Sequence, residues 1–248
     1  MVRISIELVP RSKDYLIEEL KIIKDNFPSV TVINIPDLTR YQIRSWEGCV
    51  IAKNFFTDTI PHIRAIDINS DDRFVYLKNY LEKYNIKEVL VVSGDNPYES
   101  NRINNHSTSI ELIKKFKKYL LNIKVYAAFD PYRQSLKREY DYLQKKLEIG
   151  VNGFFTQPFF DIKLIELFTP WFKETEVFWG ISPVTSPWAK DYWETKNNVI
   201  FPEDFRPNLE WSRNFAIEAI KFIKNKNNQN IYFMPIKTNT FEYLKGIV

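Results

Sequence analysis

Two spacings take turns along the chain: short apolar or β-branched runs, and stretches whose apolar residues recur at i, i+3 and i+4. Arg3 to Leu8 reads as a first strand. The stripe Tyr15, Leu16, Leu20 and Ile23, with Ser12 placed to cap, predicts the helix after it. The same reading gives strands at Thr31–Ile35, His62–Ile66, Glu88–Val92, Lys124–Phe129, Gly153–Gln157, Val177–Ile181 and Ile231–Ile236. Between and after them it predicts helices at 46–55, 71–83, 107–121, 134–150, 162–172, 188–194, 209–224 and 241–247. Eight strands alternating with helices, with no linker rich in Pro, Gly or Ser, are what a closed (β/α)8 TIM barrel requires, as a single α/β domain over residues 1–248. An open doubly wound sheet is the alternative, because local pattern does not reveal whether the last strand pairs with the first. The lack of a glycine-rich phosphate loop after the first strand weighs against it.

Composition supports a packed globular chain: 44% of the 248 residues are hydrophobic and 27% charged. The longest uncharged stretch, Val177 to Ala189, contains two prolines and falls short of the roughly 20 apolar residues of a membrane helix. No membrane partner is expected. Glu7 arrives before any apolar signal segment could form, and a single cysteine, Cys49, offers neither a disulfide nor a zinc site. A cytoplasmic protein without a metal is the expectation. The net charge of +4 is spread among acidic neighbours, so nucleic-acid binding is not implied.

In such a barrel, function gathers where strands end and βα loops begin. Those positions carry Glu7, Asn34 with Asp37, His62 with Asp67, Ser93-Gly94-Asp95, Asp130 with Tyr132, Gln157 with Phe159, Ser182, and Lys237 with Thr238. A ring this rich in carboxylates and amides predicts a polar pocket. Only six glycines occur, and Gly94, leaving the run Val-Leu-Val-Val with an acid beside it, would let backbone approach a ligand.

Several strings at these strand ends resemble the methylenetetrahydrofolate reductase family: Ile4 to Pro10, Pro61 to Asp67, Val91 to Asp95, Ala127 to Pro131 and, most specifically, Gly150 to Asp161 with its Thr-Gln-Pro-Phe-Phe-Asp. The resemblance implies a barrel that binds FAD, takes electrons from NADH or NADPH, and reduces methylenetetrahydrofolate to methyltetrahydrofolate in one-carbon metabolism and methionine biosynthesis. It makes Glu7 the general acid and sets Asp95 near flavin and pterin. A carboxyl group suits the first role, because opening the methylene bridge to an iminium needs a proton on the departing nitrogen. For FAD the resemblance points to His62, Ser93, Gly94, Asp95, Asn105, His106, Phe129 as a stacking ring, and Lys145 with Lys146 for the pyrophosphate. For folate it points to Gln157 and Phe159.

The pattern also departs from the family's. Leu8, Val9 and Pro10 stand where many members read Phe-Phe-Pro-Pro, and Phe233 to Thr238 lacks the usual tyrosine and arginine, leaving Lys237 as the cation for the substrate's glutamate tail. These departures motivate two further readings: a folate- or flavin-binding relative without reductase activity that serves as a partner subunit, and another one-carbon barrel enzyme. A homo-oligomer or an electron-donor subunit stays open, with Trp188, Trp193 and Trp211 as interface or core candidates.

Overall fold

The computed structural model describes residues 2–94, 108–172, 174–224 and 226–248. Its eight parallel strands are β1 (Ile4–Glu7), β2 (Val32–Ile35), β3 (Asp58–Arg64), β4 (Glu88–Val92), β5 (Lys124–Phe129), β6 (Gly153–Pro158), β7 (Glu176–Ile181) and β8 (Gln229–Phe233). They close in chain order: β8 lies beside β1 with Ser5 opposite Tyr232 and Ile6 opposite Phe233. That pairing settles the architecture as a (β/α)8 barrel and removes the open-sheet alternative.

The helices are α1 (Lys13–Asn26), α2 (Ser45–Ala52), α3 (Asp71–Lys83), α4 (Ser109–Tyr119), α5 (Leu136–Glu148), α6 (Ile162–Phe168), α7 (Pro187–Asn197), α8 (Leu209–Ile223) and α9 (Thr240–Leu244). Their starts follow the capping chemistry in the sequence. Ser12 accepts from the Tyr15 amide, and Thr108 with Glu111 forms a reciprocal capping box at α4. Most element ends shift by one to three residues, β8 for instance running Gln229–Phe233 rather than 231–236, and two differences have a clear local form. β3 begins at Asp58, four residues before His62, because Pro61 sits inside the strand, where proline is uncommon. The helix expected over 162–172 tightens into a 3-10 turn from Thr169 to Phe172.

Strand alternation divides the side chains into two sets. One faces the helices and forms the large core with Leu16, Leu77, Ile113, Phe116 and Phe172. The other fills the barrel, where Val32, Ile60, Leu90, Tyr126, Phe155, Phe178 and Tyr232 pack into a plug. Within it Phe155 and Phe178 stack at 4.2 Å between ring centres. Ring-to-ring contact at this density closes the barrel's middle, so a ligand has access only at the two ends. Gly153 is required at the β6–β7 contact, because a Cβ there would lie 2.4 Å from the Glu176 carbonyl oxygen.

Candidate active site

At the carboxyl end of the strands, β1, β2, β3 and β8 each turn one polar side chain toward the same point. Glu7 lies opposite Asn34 in the β1–β2 register, and the Tyr232 hydroxyl donates a hydrogen bond to Glu7 Oε2. Asn34 Nδ2 lies 3.5 Å from His62 Nε2. His62 Nε2 stands 3.9 Å from Glu7 Oε2.

Burial sets the charge of this cluster. It raises the Glu7 carboxyl from its ordinary 4.5 to about 7, with the Tyr232 hydrogen bond opposing the rise. It lowers the His62 imidazole from 6.5 to about 3. Near pH 7 the histidine is therefore neutral and the acid is about half protonated, so their 3.9 Å approach is a contact between a neutral imidazole and a titrating acid rather than a salt bridge. A neutral imidazole with its proton on Nδ1 can accept from Asn34 at Nε2. Asn34 Oδ1 is buried with no hydrogen-bond partner among the described residues, leaving one strong acceptor for a ligand.

The other expected residues divide into groups. Ser93 and Gly94 follow β4 at the rim, and Gly94 takes φ +87°, a left-handed conformation that glycine tolerates best. Gln157, the penultimate residue of β6, is partly exposed at a register irregularity between Phe155 and Pro158. Lys237, also left-handed at φ 53°, lies exposed after β8 with its ammonium 4.1 Å from the centre of the Trp188 ring. Asp95, Asn105 and His106 lie outside the described residues.

Three expectations need correction. Phe129 is 1% exposed and held edge-on by Phe168, Trp171 and Phe172, so its ring has no face to stack on a flavin. Phe159 is equally enclosed, by Tyr132, Phe168 and Trp179. Both rings point from the strands toward the helices, away from the barrel axis. The lysine pair is split by the helix period: Lys145 is exposed, whereas Lys146 is buried, donating to the Ala128 carbonyl at 2.6 Å and lying over the Tyr142 ring. Burial lowers the Lys146 ammonium to about 8, with Glu139 opposing the fall.

Asp37 and Asp67 are also committed elsewhere. Arg44 bridges them at 2.6 and 3.0 Å, tying the loops after β2 and β3 together. The residue that sequence reasoning passed over is Tyr232. Its signal was period two on β8, where Ile231 and Phe233 belong to the outer core and leave Tyr232 to face inward. Trp188 was singled out only as an interface or core candidate; it is exposed at 61% and stacked on Tyr192 beside Lys237.

Known proteins point the same way. A family model described as methylenetetrahydrofolate reductase matches residues 11–225. The 5,10-methylenetetrahydrofolate reductase of Escherichia coli (strain K12) is 20% identical over 202 residues, 75% of this chain and 68% of that protein. The protein of the same name from Pectobacterium carotovorum subsp. carotovorum is 24% identical over 202 residues, 75% of this chain and 67% of its own. Among solved structures, an uncharacterized protein from Clostridium thermocellum that binds two copies of 5-methyl-5,6,7,8-tetrahydrofolic acid superposes with a TM-score of 0.70. It is 11% identical, and the match covers 99% of this chain and 93% of that one. An uncharacterized B. cereus protein gives a TM-score of 0.54 at 12% identity, over 98% of this chain and 64% of that one. At these identities the structural likeness is one of fold.

Proposed function

The chain belongs to the methylenetetrahydrofolate reductase family, and from that premise we propose that it reduces 5,10-methylenetetrahydrofolate to 5-methyltetrahydrofolate at the rim formed by β1, β2, β3 and β8. The observation that carries this reading is Glu7, a largely buried carboxyl that holds its proton up to about pH 7 with no cationic partner among the described residues. Glu7 delivers that proton to the departing nitrogen of the methylene bridge. Once ionised, its carboxylate keeps the Tyr232 hydrogen bond, which offsets part of the cost of a buried charge. Neutral His62 and the plug beneath it exclude water from the acid's inner side.

The residues present fit a flavin at this rim. The unpartnered Asn34 Oδ1 and the left-handed turn at Ser93-Gly94 offer an acceptor and a close backbone approach, and His62 adds a neutral ring. When bound, FAD supplies the hydride relay between a reduced nicotinamide and the folate. Lys145, exposed on α5, is the member of the lysine pair left to meet a phosphate. Lys237 and the exposed face of Trp188 suit the glutamate tail and the aromatic ring that precedes it.

Purified protein tests the proposal. A yellow chromophore with bands at about 380 and 450 nm, bleached anaerobically by NADH or NADPH and recovered on adding methylenetetrahydrofolate, is the expected result. Colourless protein that still binds folate would favour the non-catalytic relative motivated by the altered residues after β1 and β8.

A further inference from the structure

A carboxylic acid that must give up a proton in one direction works best when one of its oxygens is already held. Glu7 meets that condition. We propose that Tyr232 is the positioning residue for Glu7: its hydroxyl holds Oε2 and leaves Oε1 as the oxygen from which the proton departs. This inference rests on the reading of Glu7 as the acid and adds a residue to it.

The geometry supplies the argument. Tyr232 is 3% exposed, with its ring edge-on to Phe155 at 5.1 Å and to His62 at 6.4 Å, so it has little freedom to swing away. β8 lies next to β1 because the barrel closes, and Ser5 opposite Tyr232 puts the phenol one inward position below Glu7. The direction of the hydrogen bond follows from the groups themselves. A phenol is a far weaker acid than a carboxyl, so Tyr232 donates to Glu7. The result is a directed contact from Tyr232 to Glu7, its donor held in place by the packing of its ring on Phe155 and His62.

The groups facing Glu7 from the neighbouring strands are Asn34 on β2, His62 on β3 and Tyr232 on β8. His62 is neutral throughout the range in which Glu7 titrates. Tyr232 is therefore the described group that moves the acid's titration over that range. Its hydrogen bond favours the carboxylate, so removing it should make the acid hold its proton to higher pH.

The test is to titrate Glu7 by carboxyl ¹³C NMR in the folded full chain, alongside the pH profile of folate reduction. Tyr232→Phe keeps the ring that packs on Phe155. It should raise the Glu7 midpoint by about one to two pH units and carry the alkaline limb of folate reduction upward with it. Site-specific 3-fluorotyrosine at position 232, a stronger donor of the same shape, should move both downward. Opposite displacements are not expected from a merely structural role.

Midpoints and limbs that stay put in both variants, while Glu7→Gln abolishes folate reduction, would overturn the role of Tyr232 alone. Unchanged folate reduction in Glu7→Gln would overturn the functional reading and this inference together.

Discussion

At the amino end of the barrel Arg3 reaches carboxylates on three other strands, Asp58 at 3.1 Å, Glu88 at 2.8 Å and Glu176 at 3.2 Å. At the carboxyl end Glu7, four residues further along, faces a phenol, an amide and a neutral imidazole. The lower cluster is a closed circuit. The Tyr126 hydroxyl and the Asn230 amide both donate to Glu176, and Lys124 adds a second cation to Glu88 at 3.5 Å. Burial pulls the Arg3 guanidinium down, but Glu88, Tyr126 and Glu176 more than compensate and hold it above its ordinary range. In the upper cluster burial is answered by neutrality instead: the acid holds its proton up to about pH 7, the histidine lacks one, and Asn34 Oδ1 has no donor among the described residues. Both ends are polar, and only at the carboxyl end does burial bring a described carboxyl's titration to about pH 7. A strand-end carboxylate in a barrel is thus informative about chemistry when its charge is not answered by a neighbouring cation.

The largest expected effect separates the ends by activity. Glu7→Gln should retain flavin and its reduction by nicotinamide while folate reduction falls by about 10²- to 10⁴-fold, read in anaerobic half-reactions. Arg3→Leu should leave those half-reactions intact and instead cost about 2–4 kcal/mol of stability by leaving Glu176 without a cation and Glu88 with Lys124 alone, read by denaturant unfolding. An Arg3 variant that unfolds normally but loses folate reduction would erase the distinction between the two ends.

Stability against pH sharpens the same contrast. Glu7 binds its proton more tightly folded than unfolded, so the stability tied to it is present below about pH 4.5 and lost as pH rises through about 7. His62 binds its proton less tightly when folded, so its contribution is present above 6.5 and lost as pH falls toward 3. Glu7→Gln should therefore gain about 2–3 kcal/mol over the native chain at pH 8, and His62→Gln should flatten the acid side of the curve. The smallest effect belongs to the exposed rim. Lys237→Ala should raise KM for a glutamate-tailed folate by less than about fivefold and leave kcat unchanged, since Lys237 touches only the outer, solvent-screened part of the site.

Much of this was legible in the sequence because a (β/α)8 barrel repeats one local pattern, and each unit signals itself by period and cap. The start of β3 was hidden by Pro61, which reads as a break. Glu7 was visible as a polar residue ending an apolar strand, and His62 as the polar residue of the Pro61 to Asp67 string. Tyr232 was not, because its partner lies on β1 and the two meet only when the barrel closes. Phe129 was misread for want of a phase, whereas Phe159 shares the parity of inward-facing Phe155 and reaches the helix-side core because it lies beyond β6, past the register shift between Phe155 and Pro158. On β5 Tyr126 faces the axis and Phe129 is out of step with it, and nothing local marks which parity points inward. Lys146 resembled a phosphate ligand until the helix turned it under Tyr142 to bind Ala128. The Arg3 circuit had no signal at all, since its members begin strands scattered from one end of the chain to the other.

The central claim is that Glu7 is a neutral acid held ready at the rim, and the midpoint of its side-chain carboxyl resonance in the folded native protein tests it most directly. The account predicts half-protonation at about pH 7. A midpoint at the ordinary 4.5 would mean an ionised surface-like carboxylate and would contradict the account.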